Sequence, residues 1–424
     1  MKKVLLPLLA LLIICSCKEE PKGKAPEKVI IKNKIITTTA KARIDSVLNA
    51  FVQSGNIAGA SALIFENGEE VYYNAFGYAD IALEKPMQRN TIVQIYSMTK
   101  PITGTALMTL FEQGKFKLDD PLSKYIPEFE NMTVYAGVDK NGKMKTEPLK
   151  REISIRDLTR HTAGFPNRDD IPGLSKLFRK ADAMNRENTL TQMAEKMAKV
   201  PLWFQPGAQW EYGPSVDVQA LLVERISGIP YGEYVQQHVL SPLNMDETRY
   251  FIPKKDRDRF SKLYIRKGEG ELVKDTTTYS NYTAHWPLTR GGSGLTSTLD
   301  DYMRFAQMLV KEGSLDSVQV LQPETVKLMA TNHLPDSVTK RSWLPSKGQV
   351  GFGIDFAVRI APPKTPEENN GVVGEFYWDG AASTLFWVDP VNKVTAVLFV
   401  QLFPYDQIDL HKKFRDAVYG HYPF

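Results

Sequence analysis

Cysteine is nearly absent from this chain: its 424 residues include two, Cys15 and Cys17, both within the first twenty positions. A disulfide framework for the body is therefore excluded. Histidine is scarce too, with six residues and no convincing zinc spacing, so no metal is expected and His161 and His238 read as structural or exposed. An excess of one charge is also missing. The formal net charge is only +4 and comes with no basic tract, which leaves nucleic acid without support as a partner. There is no internal repeat and no low-complexity tract. What is present is ordinary globular material, 42% hydrophobic and 24% charged, enough for a large core. A prior of ~100–200 residues per domain predicts two or three structural units.

The N-terminus, "MKKVLLPLLALLIICSC", has Lys2 and Lys3 before an apolar run that ends at small residues, the pattern of an export signal. The run is shorter than the ~20 apolar residues of a membrane-spanning helix. Ile14, Cys15, Ser16 and Cys17 resemble the lipobox of bacterial lipoproteins. That resemblance implies removal of residues 1–16, lipid attachment at Cys17 and tethering to a membrane through that lipid. "KEE" directly afterwards is similar to an export tag of surface lipoproteins, which points to the outer membrane, facing the periplasm or the surface. Residues 17–30 read as a polar, Pro-containing tether without structure.

In the body, "TTTAKARIDSVLNAFVQSG" carries apolar residues at Ile44, Leu48, Phe51 and Val52, one face of a helix behind polar caps. Two strand-like runs follow, joined at Asn67 and Gly68, a strong hairpin signal. Strand-like runs return near the C-terminus ("GVVGEFYWDG", "ASTLFWVDP", "KVTAVLFVQLF"), followed by an expected helix over Asp406 to Tyr419. Mostly helical sequence lies between, and Tyr135 to Ser154 reads as a surface excursion or hairpin. The expected fold is α/β (α+β): a central antiparallel sheet flanked by helices and built from both chain ends. Residues 31–125 and 285–424 would form the sheet domain, with 126–284 inserted as a mainly helical one.

Within "TIVQIYSMTKPITGTALMTL", Ser97 precedes Lys100 by three residues at the entrance of an apolar helix. Burying an unpaired ammonium costs several kcal/mol, so Lys100 either snorkels to solvent or has a chemical task. Helical spacing brings both side chains to one face. A serine hydroxyl needs a base to become nucleophilic, and desolvation by Ile92, Val93, Ile95 and Met98 would lower the lysine pKa enough to serve. By itself the pair also fits a capping serine and a solvent-seeking lysine. Tyr212, on a turn made by Pro206, Gly207, Gly213 and Pro214, is placed to share a proton with them or simply to pack. In "FYWDGAASTLFWVDP", Gly380, Ala381 and Ala382 leave backbone amides uncluttered beside a strand. An oxyanion site or close sheet packing both suit that pattern.

With these positions named, the chain resembles the serine β-lactamase and penicillin-binding protein superfamily, in the class C-like branch that also holds carboxylesterases and D-specific peptidases. "SMTK" matches the first motif, and "LDDPLSKYIP", "IRDLTRHTAGFP", "PGAQWEYG" and "RGGSGLTSTLDDYMRFAQML" extend the likeness over roughly Ile44 to Phe403. The resemblance implies Ser97 as nucleophile, Lys100 and Tyr212 as general base or proton shuttle, and the amides of Ser97 and Ala381 as oxyanion hole. It departs at two places. Pro214 stands where the second motif has an asparagine, and it has neither a side-chain amide nor an N–H. Trp378, Asp379 and Gly380 stand where the third motif has Lys, Thr or Ser, and Gly. An aspartate there would repel a substrate carboxylate, while Trp378 and Gly380 are similar to the carboxylesterase version.

The resulting expectation is a serine hydrolase working through an acyl-enzyme on carboxylic esters, without a cofactor, with Trp378, Asp379 and Gly380 facing the substrate. Trp203, Trp210, Tyr212, Trp286, Phe376 and Trp378 would line an apolar site. Two alternatives stay open: a β-lactamase or D-Ala peptidase, acting on lactams or peptidoglycan-like peptides and anchoring a carboxylate on Arg290, and a non-catalytic envelope binding protein.

Overall fold

The computed structural model describes residues 34–423, so the leader, Cys17 and the tether lie outside the described residues. Thr37 caps helix α1 (Thr38–Gln53), its hydroxyl accepting from the Ala40 N–H at 3.1 Å. Ile44, Leu48 and Phe51 form its buried face. Strands β1 (Gly59–Glu66) and β2 (Glu69–Asp80) then pair through the Asn67-Gly68 turn. Both turn residues have positive φ, 56° and 85°, as a tight primed turn requires. A short β3 (Lys85–Pro86) continues the meander.

The rest of the sheet comes from the C-terminal part: β4 (Val350–Phe352), β5 (Ala357–Arg359), β6 (Phe376–Asp379), β7 (Leu385–Asp389) and β8 (Val394–Val400). Eight strands run in the order β4-β5-β6-β7-β8-β1-β2-β3, every pairing antiparallel, with β8 against β1 joining the two ends of the chain. The sequence had not signalled β4 and β5, each only three residues long.

Helices cover both faces. Helix α2 (Thr99–Glu112) and α3 (Ser215–Ser227) pack on each other, α4 (Leu299–Val310) lies against β8, β7 and β1, and α5 (Leu410–Tyr419) lies against α1. Adjacent residues of β7 divide the faces by the two-residue alternation of a strand. Phe386 meets Tyr302 of α4 at 5.0 Å between ring centroids, whereas Trp387 meets Phe414 of α5 at 5.5 Å. With both faces covered, β8 is buried at every position, which is why it reads as a continuous apolar run.

Helix α5 starts at Leu410, later than the expected Asp406. Asp406 and Asp409 take positive φ (45° and 52°), so the chain is still turning there. Helix α3, whose sequence looks amphipathic, is buried all round from Ser215 to Val223. The polar stretch after residue 133 is a hairpin of Thr133–Val138 with Met144–Pro148. No helix among the described residues is long and apolar enough to cross a membrane.

Candidate active site

Ser97 sits in a short 3-10 turn, Tyr96–Met98, immediately before α2. Tyr96 has φ +44°, a left-handed conformation that costs a non-glycine residue about 1 kcal/mol or more. Its ring is held between Tyr282 and Phe403, at centroid distances of 6.4 and 5.5 Å. Lys100, in the first turn of α2, is 4% exposed, and its ammonium does not reach for solvent. Lys100 Nζ lies 3.2 Å from Ser97 Oγ and donates to the Gly292 carbonyl at 2.7 Å. Burial pulls its pKa from 10.5 down to about 7, Arg290 adding to that and Asp217 opposing it.

The loop carrying Gly292 belongs to the "RGGSGL" stretch, and its contact with Lys100 has no local signal in the sequence. Thr103, one helical turn after Lys100, donates to the Gly291 carbonyl at 2.7 Å. Asp217 of α3 accepts from the Gly292 N–H at 3.0 Å and from two nitrogens of Arg290, each at 3.2 Å. The loop presses so closely on α3 that a Cβ at Gly291 would fall 2.3 Å from the Val216 carbonyl oxygen. Only glycine fits there.

Tyr212 stands beside this pair. It lines the same cavity as Ser97, the Lys100 Nζ lies 4.4 Å from its ring centroid, and its hydroxyl accepts from Trp378 Nε1 at 3.4 Å. Burial raises the phenol well above its ordinary value near 10, so it is a neutral hydroxyl at neutral pH. An aromatic nest fixes the ring: His161 at 4.8 Å, Trp343 at 5.1 Å, Trp378 at 5.5 Å and Trp210 at 6.2 Å. His161 is fully buried in that nest, and burial holds it well below its usual pKa and hence neutral.

Of the six aromatic residues expected to line the pocket, Tyr212 lines the cavity at Ser97, while Trp210 and Trp378 are buried and pack against its ring. Phe376 instead stacks on Phe356 in the core at 4.8 Å, Trp203 belongs to a separate apolar cluster, and Trp286 lies on the far side of Arg290. Trp343 was not anticipated.

Strand β6 runs alongside the Ser97 turn. A Cβ at Gly380 would sit 2.5 Å from the Ile95 carbonyl oxygen, so the glycine is what lets the turn after β6 approach the segment that carries Ser97. Among the described residues no protein acceptor takes the Ala381 N–H. Asp379 is not the free anion the sequence suggested. It is buried and paired with the Lys347 ammonium, and its carboxylate accepts from the Tyr405 hydroxyl at 2.7 Å. Burial opposes its ionisation, yet Lys347, with a smaller contribution from His411, holds its pKa below the ordinary carboxylate value.

Pro214 closes the turn before α3 and offers no amide. The Asn167 side chain donates to the Tyr212 carbonyl at 3.1 Å and lines the same cavity of about 190 Å³ as Ser97, Lys100 and Arg290. No group of three or more His, Cys, Asp or Glu residues suited to a metal occurs among the described residues.

Known proteins resemble this chain over most of its length. The family model described as Beta-lactamase matches residues 44–420. Protein Rv1367c of Mycobacterium tuberculosis (strain ATCC 25618 / H37Rv) is 32% identical over 361 residues, covering 84% of this chain and 88% of that one. Esterase EstB of Burkholderia gladioli is 28% identical over 404 residues, 89% and 95% of the two chains. Among solved structures, EstCE1, a hydrolase with promiscuous acyltransferase activity, superposes with a TM-score of 0.75 at 25% identity, over 90% of this chain and 99% of its own. The chain belongs to the beta-lactamase family.

Proposed function

We propose that the protein is a serine hydrolase that cleaves carboxylic esters through a covalent acyl-enzyme. The observation that carries this reading is Lys100: buried, 3.2 Å from Ser97 Oγ, and with a pKa brought to about 7, it is a base at neutral pH. Ser97 Oγ attacks the ester carbonyl while its proton passes to Lys100. Tyr212, a neutral phenol beside both, gives its own proton to the departing alkoxide and is reprotonated by the one Lys100 holds. The amides of Ser97 and Ala381 receive the oxyanion. Water, deprotonated by the same pair, then attacks the acyl-enzyme and releases the acid.

Esters are favoured over lactams and peptides bearing a carboxylate by the third motif, where the cation of the usual anchor is replaced by Trp378 and by an Asp379 already committed to Lys347. The name of the relative Esterase EstB points the same way. A short-chain aryl ester, a chromogenic cephalosporin and a D-Ala-D-Ala peptide, each followed by turnover and by intact mass, test the reading. Ester turnover with an adduct on Ser97, both lost in Ser97→Ala, is expected. Rapid lactam turnover without ester turnover would overturn it, and no adduct with any probe would indicate a binding protein.

The proposal extends to location: Cys17 carries the lipid that tethers the enzyme to the outer membrane of the bacterial envelope, with the sequence's likeness to a lipobox as its support. Cys17→Ala should move the protein from the membrane fraction to the soluble one, and unchanged fractionation would refute the anchor.

A further inference from the structure

The cavity at Ser97 shares Arg290 and Ser293 as lining with a second hollow of about 120 Å³, bordered by Arg186 and Trp286. Among the described residues Arg186 is the one arginine whose guanidinium makes neither a hydrogen bond nor an ion pair with the protein. The partly buried or buried arginines elsewhere are matched: Arg290 on Asp217, Arg160 on Asp157, Arg415 on Glu375, and Arg257 on the carbonyls of Ile252 and Thr283. Arg186 faces aromatic carbon instead, with the Trp286 ring centroid 6.0 Å away.

Its place is fixed all the same. The Arg186 carbonyl accepts from the Leu288 N–H at 3.1 Å, tying it to the segment that leads into Arg290 and Gly292. Burial pulls its pKa below the ordinary arginine value, and the like charge of Arg290 adds to that. A planar fork of five donors, half removed from water and given no acceptor, is an incomplete interaction. A carboxylate completes it with two parallel hydrogen bonds.

Lys347 is not free to serve, since it is buried and neutralised by Asp379. We propose that Arg186 binds a carboxylate carried by the ester substrate, so that the enzyme prefers anionic to neutral esters. The anion is thereby recognised beside Arg290, in the hollow that Arg186 and Trp286 border. This rests on the ester-hydrolase reading, but the anion site can be measured without turnover.

The test uses 4-nitrophenyl hydrogen adipate and its neutral methyl ester. Binding of each to Ser97→Ala by calorimetry, and kcat/KM of each with the parent enzyme, give two anionic-to-neutral ratios. A ratio of about ten or more in both is expected, from the strength of hydrogen bonds to a charged partner. In Arg186→Gln the ratio should fall to about one, while Arg186→Lys keeps part of it. Thermal melting establishes that each variant is folded. Equal binding of the two esters to Ser97→Ala, or an Arg186→Gln variant that keeps the preference, would overturn the proposal. An Arg186-dependent binding preference in a protein that turns over neither ester upholds the anion site and overturns the hydrolase reading instead.

Discussion

The Lys100 ammonium donates to the carbonyl oxygen of Gly292, 192 positions further along the chain, at 2.7 Å. That carbonyl takes over the steadying of the lysine that Pro214 cannot provide. Gly292 is itself held by its N–H on Asp217, so α2, α3 and the glycine loop fix one another. A carbonyl accepts from either protonation state of the lysine and brings no formal charge, which leaves burial to dominate the pKa. The result is a buried amine held 3.2 Å from Ser97 Oγ.

The pH profile follows from this. Since neutral Lys100 is the active form, kcat/KM for an ester should fall as pH drops through about 7. Asp217 favours the charged lysine, so Asp217→Asn, which keeps an oxygen for the Gly292 N–H, should lower the Lys100 pKa further and move that limb to lower pH. Freeing Arg290 from its partner works in the same direction. A limb that stays in place or moves upward would contradict Lys100 as the base.

Lys100 also has a signature in stability. Its folded pKa is depressed below the unfolded value near 10.5, so between about pH 7 and 10.5 the unfolded state binds more protons and stability should rise with pH. In Lys100→Met that rise should shrink, as read from urea midpoints at pH 7 and pH 9. An identical rise in both proteins would show that the lysine is charged in the fold.

Gly380 is predicted to be irreplaceable for rate. An added Cβ would meet the Ile95 carbonyl oxygen at 2.5 Å, and backbone cannot swing away as a side chain can. Gly380→Ala should therefore push the Ala381 amide off the Ser97 turn and lower kcat by about 100-fold with little change in KM, the cost of one lost oxyanion donor. A variant with unchanged kcat would remove Ala381 from the mechanism.

What the sequence revealed and what it hid divide by distance along the chain. The Asn67-Gly68 hairpin and the Ser97 and Lys100 pair depend on neighbours within a few residues, so turn chemistry and helical spacing disclose them. Gly292, Asp217, Lys347, Trp343 and Arg186 carry no local motif of their own. Each matters only because the fold brings it against a partner far away, as Lys347 meets Asp379 and Asp217 meets the glycine loop. Residue type alone likewise could not tell that Trp378 packs against Tyr212 while Phe376, two positions earlier on the same strand, stacks on Phe356. The short strands β4 and β5 escaped because three residues are too few to display an alternation.

The Lys347 and Asp379 pair explains how an aspartate is tolerated where the family's third motif has a hydroxyl. Both side chains are almost fully buried, at 6% and 9% exposed, so neither charge is hydrated and each depends on the other. Removing one partner strands the second: Asp379→Asn leaves a buried ammonium, and Lys347→Met leaves a carboxylate with the Tyr405 hydroxyl as its remaining donor. Each single change should cost about 3–5 kcal/mol, whereas the double variant, which strands nothing, should cost clearly less than their sum. The depressed Asp379 pKa fixes the acid side of the same experiment. Its contribution is complete above its unfolded value near 3.8 and is lost as pH falls through the lower folded value, so the coupling should vanish in strong acid and persist at pH 7. Urea unfolding of the four proteins measures it, and additive single effects at pH 7 would mean that the two charges are not coupled in the fold.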